Sequence, residues 1–295
     1  MDRGIKAQGR LPGNRPGKAA SHISSLEFGK WFRNTRLVIL AVMVVFIRVQ
    51  VAAPLAECAR LMGEPVSVFE GFLAICNSGV ILLVLPVLFL VLVADFPQRD
   101  GTHLFCQARC RKRVWIAGQV LFAMKACLFL VVFLFVVSCI LMLGCGSWQF
   151  SFSDAVTHFT SVYPDRTGDY VVQLVPGNLY QQMGLGTALL HSACMMYLHF
   201  LLLSMVILWF FLLQKKYAGI LADGFLIILG AVTCEVQLPA MWVFPMPHTV
   251  PWLHYEEYLS AMVFPMWASY LYLGGGCAAL VTACFVAARR YQVLS

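Results

Sequence analysis

Six apolar runs dominate the sequence, at roughly 37–57, 69–94, 114–143, 184–213, 217–246 and 267–288. Each is as long as the roughly 20 residues a helix needs to cross the hydrocarbon of a bilayer. Six such runs in 295 residues leave no room for a large soluble domain. Composition agrees: 60% of the residues are hydrophobic and 12% charged, where a soluble domain has about 25% charged. An ordinary soluble enzyme, a disordered chain and a wetted nucleic-acid-binding face are all excluded. The expected fold class is an all-α, polytopic membrane protein of six spans, with the lipid bilayer as its solvent.

The basic residues set orientation. Eight lie before the first run, five between the second and third, two after the fourth and two after the sixth, so 17 of 21 fall on one side. Both termini are therefore expected in the cytoplasm, in a multi-pass protein of the cell membrane. The net charge of +7 thus reports topology, and nucleic acid is not an expected partner.

Three regions follow from this division. Residues 1–22, rich in Gly, Pro, Arg, Lys and Ser, read as a disordered basic cytosolic tail. Residues 23–36 read as an amphipathic interfacial helix. It would open on a Ser24-x-x-Glu27 capping box, with Ile23 and Phe28 as a hydrophobic staple. The alternative is a plain cytosolic extension of the first span. Residues 37–295 form the transmembrane region.

Motifs for self-contained chemistry are missing. None of the seven lysines is followed by Ser or Thr, so the chain carries no P-loop of its own. No His precedes Glu, which excludes H-E-x-x-H zinc hydrolysis. Asn77-Ser78-Gly79 lacks the glycine that precedes an intramembrane serine nucleophile, and Glu256-Glu257 lacks the arginine of paired-glutamate membrane proteases. Glu57 beside Cys58 sets aside a lipoprotein signal. His191 and His199, eight residues apart on one helical face with Met195 and Met196 nearby, could ligate haem or copper. Polar lining of a helix interface explains them more simply. No pair of CxxC elements occurs among the 11 cysteines, which argues against structural zinc. Cys58 and Cys145 could both lie outside the membrane and pair. The expectation is no catalytic residue, no metal and no cofactor on this chain.

Three intramembrane charges stand out: Arg48, Lys125 and Glu235. Each costs about 2.5–3.5 kcal/mol at a helix centre, so each needs a partner or a wet cavity. Arg48 and Lys125 follow the cytoplasmic Arg36 and Arg113 by twelve residues, about 18 Å of helical rise, and Glu235 follows Lys216 by nineteen, about 28 Å. They are candidates for a polar pathway, with a structural ion pair or snorkelling as the alternative. Five prolines and interleaved Trp and Tyr between 239 and 267 suggest short broken helices on the outer face. Within the basic 97–113 loop, Thr102–Arg113 is a short helical candidate with Leu104, Phe105 and Ala108 on one side. It suits docking of a protein partner or contact with anionic lipid.

The order of these parts resembles the type-2 ABC transporter permeases, in particular smaller bacterial exporter subunits whose ATPase is a separate chain. As motif, the resemblance rests on Phe69-Glu70-Gly71-Phe72, Asp95-Phe96-Pro97, and Arg109 to Trp115 followed by Gly118-Gln119. It implies a permease subunit that forms a pathway with a second permease half, as a homo- or heterodimer. It also implies a cytosolic ABC ATPase, which supplies ATP and Mg chemistry, bound to the loop between the second and third spans. Leu104, Phe105, Arg109 and Arg111 would be the coupling residues. The buried Arg48 and Lys125 and the external segment 145–182 depart from the family pattern. The alternative is a secondary transporter or channel without an ATPase, and a membrane enzyme or assembly factor is a third reading.

Overall fold

The computed structural model describes residues 16–98, 110–256 and 261–290. In chain order its helices are α1 (Pro16–Trp31), α2 (Val38–Ile47), α3 (Ala53–Met62), α4 (Glu70–Asn77), α5 (Gly79–Val93) and α6 (Lys112–Met142). The short α7 (Asp154–Thr157), α8 (Phe159–Val162), α9 (Tyr170–Leu174) and α10 (Gly177–Gln182) come next, followed by α11 (Leu185–Leu212), α12 (Lys216–Glu235) and α13 (Met266–Arg290). Only two two-residue strands occur among the described residues, β1 (Val66–Ser67) and β2 (Gly146–Ser147), paired in parallel. The protein is all-α.

Among the described residues, five helices are long and apolar enough to cross a membrane: Thr35–Met62, α6, α11, α12 and α13. The first joins α2 to α3 through a π-helical turn, Arg48–Ala52. A sixth candidate is the pair α4 and α5, bent by 82° at Ser78. The apolar run 69–94 is therefore not one straight helix. α11 is the central member, with 78% of its apolar window buried against 22–39% in the other four. Those four turn long apolar faces outward, such as Val38, Val42, Val45 and Val49 on the first, which suits lipid contact.

The N-terminal helix is already formed at Pro16, the first described residue, and does not begin at the Ser24 box. Residues 16–22 are accordingly helical, and Ser24 and Glu27 stand in mid-helix. Tertiary packing overrides the capping signal here. Ala20, Ile23, Ser24, Glu27 and Trp31 recur at helical spacing and are buried where α1 runs along α6. The close approach depends on Gly118, where an added Cβ would lie 2.7 Å from Ile23 Cγ2. Farther along, Phe28, Trp31 and Phe32 interlock with Phe122 and Phe129, with ring centroids 4.9 to 6.4 Å apart. α1 is thus part of the bundle.

Glu70, fully buried at the start of α4, fixes the segment after α6. Its carboxylate accepts from Ser67 N at 2.9 Å, Ser153 N at 2.7 Å and Ser153 Oγ at 2.8 Å. Gly71 lets the same turn close on α6, since a Cβ there would meet Met142 Cγ at 2.9 Å.

Two substitutions test these joints. Gly118→Leu should force α1 away from α6 at a cost of about 1–3 kcal/mol, read as a lower Tm in detergent and new protease cleavage within 16–31. Glu70→Ala strands buried backbone donors at about 1–3 kcal/mol each and should lower Tm further than Glu70→Gln.

Candidate functional site

The bend at Ser78 has a local cause. Asn77, Ser78 and Gly79 are three successive poor helix formers in an otherwise apolar run. Ser78 adopts extended geometry (φ −77°, ψ 129°), closing α4 and opening α5. A broken helix among apolar side chains leaves backbone groups that must find partners. Trp252 answers the most exposed need: its indole N–H donates to the Asn77 carbonyl at 3.0 Å. The Asn77 amide donates to Leu73 O at 2.9 Å and to Ser192 Oγ at 3.4 Å, and Ser78 Oγ lies 3.5 Å from the Tyr170 hydroxyl. Glu235 approaches the first turn of α5, with its Oε2 3.5 Å from where a Gly79 Cβ would stand. A carboxylate is favourable at that helix end.

Beside the bend is a cavity of about 20 Å³, measured by where a water's centre can sit, lined in part by Cys76, Leu85, Met196, His199, Met246 and Thr249. That is room for about one water. Among the described residues, neither ring nitrogen of the buried His199 has a hydrogen-bond partner, nor does either carboxylate oxygen of Asp223, buried on α12.

Over the bend lies a cap of three 3₁₀ turns, Pro239–Val243, Pro247–Thr249 and Pro251–His254. His248 and His254 point from it toward Ser269 of α13, at 2.8 and 2.7 Å. Their remaining ring nitrogens face Trp242 O at 2.9 Å and Val250 O at 3.0 Å. Burial pushes His248 below the usual imidazole range, against the Trp242 carbonyl. Burial acts on His254 in the same direction, with the charges of His248 and His191 adding to it and the Val250 and Pro251 carbonyls opposing.

A second cluster ties α1 to the end of α5. Trp31 Nε1 donates to Leu92 O at 3.3 Å, and Arg36 donates to Val91 O at 2.9 Å and to Asp95 at 2.8 Å. The ion pair is part-exposed and contributes about 1 kcal/mol or less. Its consequence is placement, because Asp95 stands immediately before the basic loop.

Of the residues singled out in the sequence, Leu104, Phe105 and Arg109 lie outside the described residues. Arg111 is exposed at the start of α6. Arg48 faces outward on the π-helical turn, and its charge opposes the burial that raises the Cys145 thiol. Lys125 donates to Ser25 of α1 at 3.3 Å. Among the described residues no two of Arg48, Lys125 and Glu235 bond to each other, so the ion pair offered as their structural explanation does not form. The Cys58–Cys145 disulfide does not form either: both are free thiols, and Cys58 donates to Ala155 O at 3.3 Å. His191 bonds Tyr270 at 2.8 Å, whereas His199 lines the cavity.

Several residues escaped the sequence reading. Asp223 lies inside an apolar run, and counting every charge in that run would have found it. Glu70 was visible only as part of a motif. Nothing local marks His248, His254 and Ser269, which are fifteen or more positions apart where they meet.

Comparison of the chain with protein families, with curated proteins and with solved structures finds no match. Trp252→Phe should leave the Asn77 carbonyl without its donor, costing about 1–3 kcal/mol and lowering Tm in detergent without loss of membrane insertion.

Proposed function

Starting from a polytopic helical membrane protein, we propose that this chain is the membrane-spanning permease subunit of an ATP-driven ABC exporter. It would pair with a second permease half and with a cytosolic ATPase that binds ATP and Mg. The observation that carries the reading is the Trp31–Leu92 and Arg36–Asp95 cluster. It anchors an N-terminal helix at the root of the basic 97–113 loop, where a rigid base would transmit ATPase movement to α5 and α6. In this reading the cell membrane holds the chain with both termini in the cytoplasm. Leu104, Phe105, Arg109 and Arg111 form the coupling surface. Arg48, Lys125 and Glu235 are the pathway candidates, the two cations suiting an anionic or amphipathic substrate.

A second reading, a secondary transporter or channel, is favoured by one observation. The α4–α5 break puts irregular backbone and polar side chains deep in the bundle, as discontinuous helices do in that class.

Purification of the tagged chain in mild detergent separates the two. Under the permease reading a P-loop ATPase co-purifies, and the double variant Leu104→Ala, Phe105→Ala releases it, since a buried apolar anchor commonly contributes about 2 kcal/mol or more. Absence of any ATPase partner favours the secondary transporter. Reporter cysteines should label from outside at Arg166 and not at Arg111; outside labelling at Arg111 overturns the coupling assignment. Arg48→Gln should leave protein levels unchanged and reduce substrate-stimulated ATP hydrolysis by the assembled complex.

A further inference from the structure

The His248–Ser269–His254 cluster contains four hydrogen-bonding contacts, and their protons can be counted. Trp242 O and Val250 O can only accept, so His248 Nε2 and His254 Nδ1 must donate to them. A neutral imidazole has a single N–H. With both rings neutral, His248 Nδ1 and His254 Nε2 would each present a lone pair to Ser269 Oγ, at 2.8 and 2.7 Å. The serine has one proton and can donate to one ring. Three protons then serve four contacts, and the fourth sets lone pair against lone pair at hydrogen-bond distance.

We propose that His248, Ser269 and His254 form a binding site for one proton, and that its occupancy latches the 239–256 cap onto α13. With the extra proton in place, one ring is an imidazolium donating to Ser269 Oγ, the hydroxyl donates to the other ring, and all four contacts are satisfied. When the proton leaves, one ring–hydroxyl contact has no hydrogen and opens.

The surroundings can hold a cation. Tyr272 of α13 stacks on His248 with centroids 4.1 Å apart. Trp242 faces both rings at 5.4 and 5.1 Å, and aromatic faces attract cations more strongly when desolvated. Working against the proton are burial, His191 of α11 acting on His254, and the lack of any carboxylate acting on either ring among the described residues. Tyr270 and Tyr272 of α13 are the other titratable groups nearby, the first through its bond to His191. Among the described residues, the further hydrogen bond between cap and α13 is from the Tyr272 hydroxyl to Val243 O at 2.6 Å, beside the stacking of Tyr272 on His248. The latch therefore decides how firmly the residues over the bend are held, Trp252 among them.

Two forces give opposite signs of pH dependence. If the closed cap holds the proton, its ring affinity exceeds that of an open histidine near pH 6.5. The latch is then complete below that pH and is lost as pH rises through the closed-state value. If burial alone ruled, closure would be complete above pH 6.5 and lost on acidification.

Hydrogen exchange of the full chain in lipid nanodiscs reads the sign directly. Amides of 246–254, corrected for intrinsic exchange, should open about tenfold less at pH 5.5 than at pH 8, the equivalent of one pKa unit. Ser269→Ala should abolish this difference, and Ser269→Thr, which keeps the hydroxyl, should retain it. Greater opening at pH 5.5, or no pH difference in the wild type, overturns the proposal. If Ser269→Ala does not fold, nitrogen-15 histidine spectra of the wild type decide. One imidazolium persisting at pH 7.5, and assigned through its loss in His248→Asn or His254→Asn, supports the site. Two neutral rings overturn it.

Discussion

The break at Ser78 is the constraint on which the rest of the structure depends. Helices in an apolar medium satisfy their own backbone, and a helix that stops there must have its loose groups met from elsewhere. The consequences spread outward from that point. Trp252 must reach the Asn77 carbonyl, so the proline-rich segment folds inward as a cap. Tyr170 meets Ser78, which brings the long segment after α6 over the first span. Glu70, at the other end of α4, gathers backbone and hydroxyl donors from both sides. A segment that looks like a loose external connection in sequence is drawn in as structural support.

At the other end of α5 a different physics operates. α1 gains its place by shape, through Gly118 and a run of interlocked aromatic rings against α6. The part-exposed Arg36–Asp95 pair adds direction and little energy. Lys125 of α6, costly if left bare at depth, is relieved by Ser25 of α1. Packing and polar contacts together make α1 and the end of α5 one unit at the root of the basic loop, the feature on which the permease proposal leans.

The sequence was a good guide wherever a property is additive along the chain. Length and apolarity of the runs located every long helix, and the proline cluster announced the broken segment after α12. It misled where a local signal competed with packing. The Ser24–Glu27 box looks like a helix start, yet the buried face of α1 continues back to Ala20. The run 69–94 looks like one span because hydropathy is blind to direction, although Asn77-Ser78-Gly79 marks the weak point.

Sequence by itself determined that this chain belongs in a bilayer and where its apolar stretches lie, because transfer free energies sum over residues regardless of their neighbours. Only the tertiary structure decided which polar groups meet. Glu70 and Ser153 are 83 positions apart, Asn77 and Trp252 are 175 apart, and Ser269 joins two histidines of a separate segment. Hydrogen bonds act over about 3 Å and depend on direction, so such meetings are fixed by how helices cross and bend, and no spacing along the chain records them.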